Sequence, residues 1–201
     1  MGAIIAMIWS RHKVFGELFV GLLHERCPFA IPYYPARSKA ESETDYLIAC
    51  GYNFAKDGRT LESEESYLSR MRAMIMLLAA AIQSLPSSKT AFRSIDSAWT
   101  WLASILNEDP QPLVTAAVLQ AFLQMTSFKL MQAYRKQFRK LIVFINTVFS
   151  PKIQQVTGKD VKRQTYVQLQ LFIEDSLRKI SSTGLLEEPE GYIRSLPSLP
   201  S

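Results

Sequence analysis

The chain has 201 residues, 48% hydrophobic, 20% charged and 11% aromatic, with 23 lysines and arginines against 18 aspartates and glutamates for a formal charge of +5. That length and apolar content suffice for one buried core and favour a single domain, while the charge and aromatic fractions exclude a disordered chain. The basic balance favours an acidic partner such as phosphate, RNA or an acidic protein face, although no Arg-Gly repeat or long basic tract singles out nucleic acid.

Residues 3–25 place Ile5, Ile8, Trp9, Phe15, Leu18, Phe19, Leu22 and Leu23 at helical spacing, with a break expected between Ser10 and Lys13. The opening MGAIIAMIW lacks a basic n-region and is too short to span a bilayer. Ala6 stands where a myristoylation motif at Gly2 would need serine or threonine. An apolar helix that opens without a cap is expected to continue polypeptide lying upstream in a longer protein. The helix stops in LLHERCPFAIPYYP, where Pro28, Pro32 and Pro35 lack an N–H donor and push their predecessors toward extended geometry. With no secretory signal ahead of them, Cys27 and Cys50 are expected to be free thiols in a reducing compartment. From Ala36 to Arg59 the chain is polar, with turns at Gly51 and Gly58 and one short helix near Glu41 to Ile48.

The segment SEESYLSRMRAMIMLLAAAIQSLP starts with serine and acidic residues suited to a helix N-terminus and ends at Leu85-Pro86. Tyr67, Leu68, Met71, Met74, Ile75 and Leu78 share a face, and IMLLAAAI, apolar all round, should be buried among other helices. After the loop LPSSKTAFR, the helix SIDSAWTWLASILNEDP carries Ile95, Ala98, Trp99, Leu102 and Leu106 on one side, which makes Trp99 the expected core tryptophan. Asp109-Pro110 ends it, and Pro112 can open the next helix.

Leu113 to Phe149 exceeds the usual helix length and is split at Thr126-Ser127. In the second half Leu130, Met131, Tyr134, Phe138, Leu141 and Ile145 form an apolar stripe, and Lys129, Arg135, Lys136, Arg139 and Lys140 gather on the other side. This basic face is either a solvated surface or a docking site for phosphate or an acidic partner, and it is the best functional lead the residues alone provide. Ser150-Pro151 bends the chain, KIQQV gives a short extension, and Arg163 to Ile180 forms a last amphipathic helix closed by Gly184. Residues 1–185 thus make the helical domain, and 186–201 a proline-rich tail, extended along the surface or frayed. No segment alternates like a strand, so the class is all-α, six to eight helices in a solenoid-like or bundle arrangement.

There is no GxxxxGK(S/T) loop, GxGxxG, GxSxG or HExxH, and no catalytic or metal-binding residue is assigned. His24 and Cys27 are spaced to share a helix face as a thiol-imidazole pair, and Cys27, Cys50, His12 and His24 are formally zinc donors without zinc spacing. The blander reading of Cys27, in an apolar stretch before a proline, is a small buried hydrophobe. Glu62, Glu64 and Glu65 read as acids favoured by the dipole of a helix N-terminus.

Six segments in order, IWSRHKVFGELFVGLLHERCPFAIPYYP, CGYNFAKDG, SYLSRMRAMIMLLAAAIQ, SAWTWLASILNEDP, KLMQAYRKQFRKLIVFI and QLQLFIEDSL, cover roughly residues 8–180. Together with the helix-Cys-Pro-aromatic-Pro junction they resemble the C-terminal domain of the Gle-one family, mRNA-export mediators of the nuclear pore's cytoplasmic face. The resemblance implies a HEAT-like helical fold similar to the middle domain of translation initiation factor four-G, and no enzymatic activity. It implies binding and stimulation of the DEAD-box RNA helicase of mRNA export, with inositol hexakisphosphate as a tether and RNA release as the outcome. An FG-repeat nucleoporin of the cytoplasmic filaments is a second implied partner, with translation factors beyond it. The implied location is the pore, cytoplasm and nucleus, with neither membrane insertion nor sequence-specific nucleic-acid binding. The alternative is a passive scaffold that docks a nucleoporin or translation factor without activating an ATPase. Where some members carry two lysines before the Cys-Pro, this chain has Glu25-Arg26, so the resemblance leaves Arg26, with His24 nearby, as the inositol phosphate contacts, and Glu25 works against a polyphosphate. Phe29, Ile31, Tyr33 and Tyr34 of the strap are then expected to cover the helical core.

Overall fold

The computed structural model describes residues 1–32, 34–85, 95–157 and 164–192. Among them run α1 (Gly2–Arg11), α2 (Lys13–Arg26), α3 (Glu43–Ala49), α4 (Glu64–Ser84), α5 (Ile95–Asn107), α6 (Val114–Phe144), α7 (Ser150–Thr157) and α8 (Gln164–Thr183). The extended pairing among the described residues is one isolated bridge, Phe54 with Leu61, so the class is all-α. The loop 86–94, residues 158–163 with the expected start at Arg163, Tyr33 and the last part of the tail, 193–201, lie outside the described residues.

Local chemistry sets most boundaries. His12, in extended conformation, separates α1 from α2 where the break is expected. The two helices fold together because Gly16 carries no side chain: a Cβ there would fall 1.8 Å from Trp9 Nε1. Ser42 and Ser63 cap α3 and α4, each hydroxyl accepting the N–H three residues on, at 3.1 and 3.2 Å. Gly184 closes α8 at φ 71 and donates its N–H to the Ile180 carbonyl at 3.1 Å.

Helix α6 is the spine. Every residue from Val114 to Leu123 is buried, and α6 packs against α4, α5 and α8 while α1 lies on α4. Four expectations are corrected here. The helix does not split at Thr126-Ser127, because both residues are buried and Thr126 Oγ1 donates to the Phe122 carbonyl at 2.8 Å, back-bonding within the helix instead of capping a turn. Instead the helical geometry is interrupted at Arg135, with φ 38 and ψ −104, and a π turn at Ile145–Phe149 leads into α7. KIQQV is helical rather than extended, since Pro151 sits in the first turn of α7, where its missing donor costs nothing. Pro112 does not open α6; it lies two residues upstream, with Leu113 at φ 61 between.

The fourth correction concerns the tryptophans. Trp101, 5% exposed, is the core residue: its ring stacks on Phe122 at 3.9 Å and its Nε1–H donates to the Phe29 carbonyl at 2.9 Å. Trp99 is half-buried against Tyr134. The buried stripe of α5 runs Ala98, Trp101, Leu102 and Ile105, one step round from the expected face.

The strap performs its expected task in part. Pro28–Ala30 is a single 3₁₀ turn, Phe29 is buried, and Tyr34 meets it edge-on at 5.1 Å while sharing a hydrogen bond with Thr115 Oγ1. Ile31 is 51% exposed and covers nothing, because the turn points it outward. At the other end, Leu186 is buried and Tyr192 meets Phe128 at 5.2 Å, so the first part of the tail packs on α6 and α8.

Candidate partner-docking surfaces

The first surface is the end of α2. Its last carbonyls would be orphaned by the turn at Cys27, and Arg70 from α4 fills the gap: Nη1 donates to the Arg26 carbonyl at 3.0 Å and Nη2 to the Gly51 carbonyl at 2.7 Å. The same guanidinium grips Glu62 through both carboxylate oxygens. Glu62 is therefore not a helix-dipole acid as expected; it also accepts the Asn53 N–H at 2.9 Å, and Glu64 and Glu65 alone occupy the first turn of α4. Desolvation pushes the Glu62 carboxyl up, but the hydrogen bonds from Arg70 and Asn53 overcome it and hold the group below its ordinary range.

Arg26 and Glu25 are both exposed here, and His24 is half-buried with Nδ1 lacking a hydrogen-bond partner. One arginine beside a carboxylate, at the negative end of a helix dipole, is a weaker setting for a hexakisphosphate than a pair of cations would be. Cys27 is fully buried, and burial pushes its thiol up to about 11. It is packing, as the sequence indicates. Cys50 is half-buried and its thiol is also raised by desolvation. Ellman titration of the native protein is expected to label Cys50 first and Cys27 only on unfolding; two equally fast thiols would contradict that burial. Among the described residues no group of three or more His, Cys, Asp or Glu is placed to hold a metal, and no helix is long and apolar enough to cross a membrane.

The second surface is the basic face. The structure brings three of the five expected residues together: Arg135, Lys136 and Arg139 line a groove of about 640 Å³ with Met131, Gln132, Ile180, Gly184 and Leu185. The volume lies in the range of ligand clefts. Lys140 is exposed outside the groove, and Lys129 is half-buried over the Tyr192 ring, its pKa lowered by desolvation. The expected face is thus smaller than the helical wheel implies, and its far wall comes from the end of α8. A third feature is a cavity of about 220 Å³ under the strap, walled by Phe29, Tyr34, Tyr46, Tyr52, Tyr67 and Pro112.

A family model described as GLE1-like protein matches residues 1–146. The mRNA export factor GLE1 of Danio rerio is 38% identical over 156 residues, covering 76% of this chain and 22% of its own length. The Rattus norvegicus factor is 34% identical over 196 residues, covering 95% of this chain and 27% of its own. The chain therefore spans about a quarter of the length of the curated relatives it matches. In fold it is similar to a chain from the S. cerevisiae Dbp5 C-terminal domain bound to Gle1 and IP6, with a TM-score of 0.72 at 20% identity, covering 94% of this chain and 62% of that one. A second such complex, with a substituted Gle1, gives a TM-score of 0.72 over 96% of this chain and 63% of that one.

Proposed function

The chain belongs to the GLE1-like protein family, and from that premise we propose that it is a non-enzymatic adaptor of mRNA export that binds a DEAD-box RNA helicase and stimulates its ATP turnover at the cytoplasmic face of the nuclear pore. The observation that carries the reading is the family match over residues 1–146, which takes in α1 to α6. The similar fold in a helicase complex supports it.

The mechanism follows from what the side chains are. The buried thiol contributes no nucleophile at neutral pH, and the described surface offers shape, cations and aromatic bulk. Such a surface acts on a motor by binding one arrangement of its lobes better than another. A preference of about 1–3 kcal/mol is enough to shift the helicase's conformational populations roughly 5- to 150-fold.

Inositol hexakisphosphate supplies negative charge for bridging cations when it is bound, but the α2 terminus of this chain presents Arg26 alone. Isothermal calorimetry is expected to show weak binding that Arg26→Ala weakens further. Tight binding indifferent to that substitution would overturn the assignment of Arg26. Helicase binding is tested directly by biolayer interferometry of this chain on the export helicase's C-terminal lobe: saturable association is expected, and no association at any concentration reached would overturn the adaptor reading.

A further inference from the structure

We propose that the groove between the second half of α6 and the end of α8 is a docking site for an acidic amphipathic peptide. The site is built by two local events. Along α6, Met131, Arg135, Lys136 and Arg139 line one wall of the groove, on either side of the helical interruption at Arg135. At the end of α8, the left-handed turn at Gly184 reverses the chain, Thr183 Oγ1 accepts the Leu185 N–H at 3.2 Å, and the two leucines part: Leu186 is buried, while Leu185 stays 63% exposed as the groove's outer wall.

Charge complementarity identifies the occupant. No ion pair among the described residues involves Arg135, Lys136 or Arg139. The acids nearest the far wall are engaged elsewhere: Lys179 holds Asp175 at 2.8 Å and Glu187 at 2.9 Å, on the flank formed by Ser127, Phe128 and Leu186. Three cations without an ion-pair partner among the described residues select carboxylates or phosphates. The apolar part then decides between these, because Met131 and Leu185 gain nothing from a free polyphosphate and would be desolvated usefully by an aliphatic or aromatic side chain.

The test uses the full chain and a fluorescein-labelled 12-residue peptide alternating glutamate and leucine around one phenylalanine, read by anisotropy at low salt. The acidic peptide is expected to saturate, while its counterpart with lysine for glutamate does not. A Lys136→Glu, Arg139→Glu variant should lose at least tenfold in affinity, and Leu185→Asp at least fivefold, with the thermal transition retained. Equal binding of the two peptides would overturn the proposal, as would variants that bind like the parent. Displacement by inositol hexakisphosphate together with indifference to Leu185→Asp would make the groove a polyphosphate site and overturn it too. If the charge-reversed variant does not fold, the parent protein decides the matter: photo-leucine in the peptide should crosslink to the segments around Met131 and Leu185, and crosslinks confined elsewhere would refute it. No helicase enters these measurements, so their failure is distinguishable from failure of the adaptor reading.

Discussion

Trp101→Ala is expected to lower the unfolding free energy by about 3–5 kcal/mol, the range for removing a large buried aromatic. The indole sits where three parts of the chain meet: it belongs to α5, stacks on Phe122 of the spine at 3.9 Å, and its Nε1–H holds the Phe29 carbonyl of the strap at 2.9 Å. Truncation opens a cavity against α6 and leaves a buried carbonyl without its donor, and the two penalties act together. Trp99→Ala removes a half-buried ring from one contact with Tyr134, and about 2 kcal/mol is the most it should cost. Urea denaturation of both variants checks the ordering. Equal losses, or a larger loss at Trp99, would mean that the wrong tryptophan has been placed in the core.

Arg70→Met is expected to destabilise by about 3–5 kcal/mol, because it leaves a carboxylate in a low-dielectric site with no counter-charge. The side chains of Arg70 and Glu62 are 19% and 14% exposed, so solvent does little to replace the lost partner. The substitution also frees the carbonyls of Arg26 and Gly51, unlatching the end of α2 and the loop after α3 from α4. Adding Glu62→Gln should restore much of the loss, since the unpaired charge is then gone. The pH dependence follows in sign. The folded pKa of Glu62 is below its unfolded value, so its stabilisation is complete above the unfolded pKa of about 4.3 and is lost as pH falls through the folded value. The stability gap between the parent and Arg70→Met should therefore narrow below about pH 4. A gap that stays constant to pH 3 would contradict the pairing.

The parts of the fold that were legible in the sequence are those decided within a turn or two of the chain. Ser63 before two glutamates, Leu85 before a proline and Gly184 after an amphipathic run are local caps and stops, and the helices obey them. Thr126-Ser127 reads as a break only until its surroundings are known: both residues are buried between neighbours, Thr126 bonds a carbonyl one turn back, and the pair stays helical. The two tryptophans of α5 straddle its apolar face, and what separates them is Phe122 and the Phe29 carbonyl, which are distant in sequence.

The candidate surface shows the same division. Helical periodicity identifies the exposed side chains of α6, but only the returning end of α8 decides that Arg135, Lys136 and Arg139 meet in one groove while Lys129 and Lys140 do not. Arg70 carried a signal that goes unused in the sequence reading, an arginine between Tyr67, Met71 and Met74 on an otherwise apolar face, with Glu62 just ahead of the helix. A charge in that position needs a partner, and the partner was eight residues away.

Steady-state ATP turnover by the export helicase with RNA, measured across a titration of this chain, tests the adaptor account most directly. A saturable rise in turnover that tracks binding is the expected result. A chain that binds the helicase to saturation and leaves turnover unchanged would be a passive scaffold, and the account would be wrong.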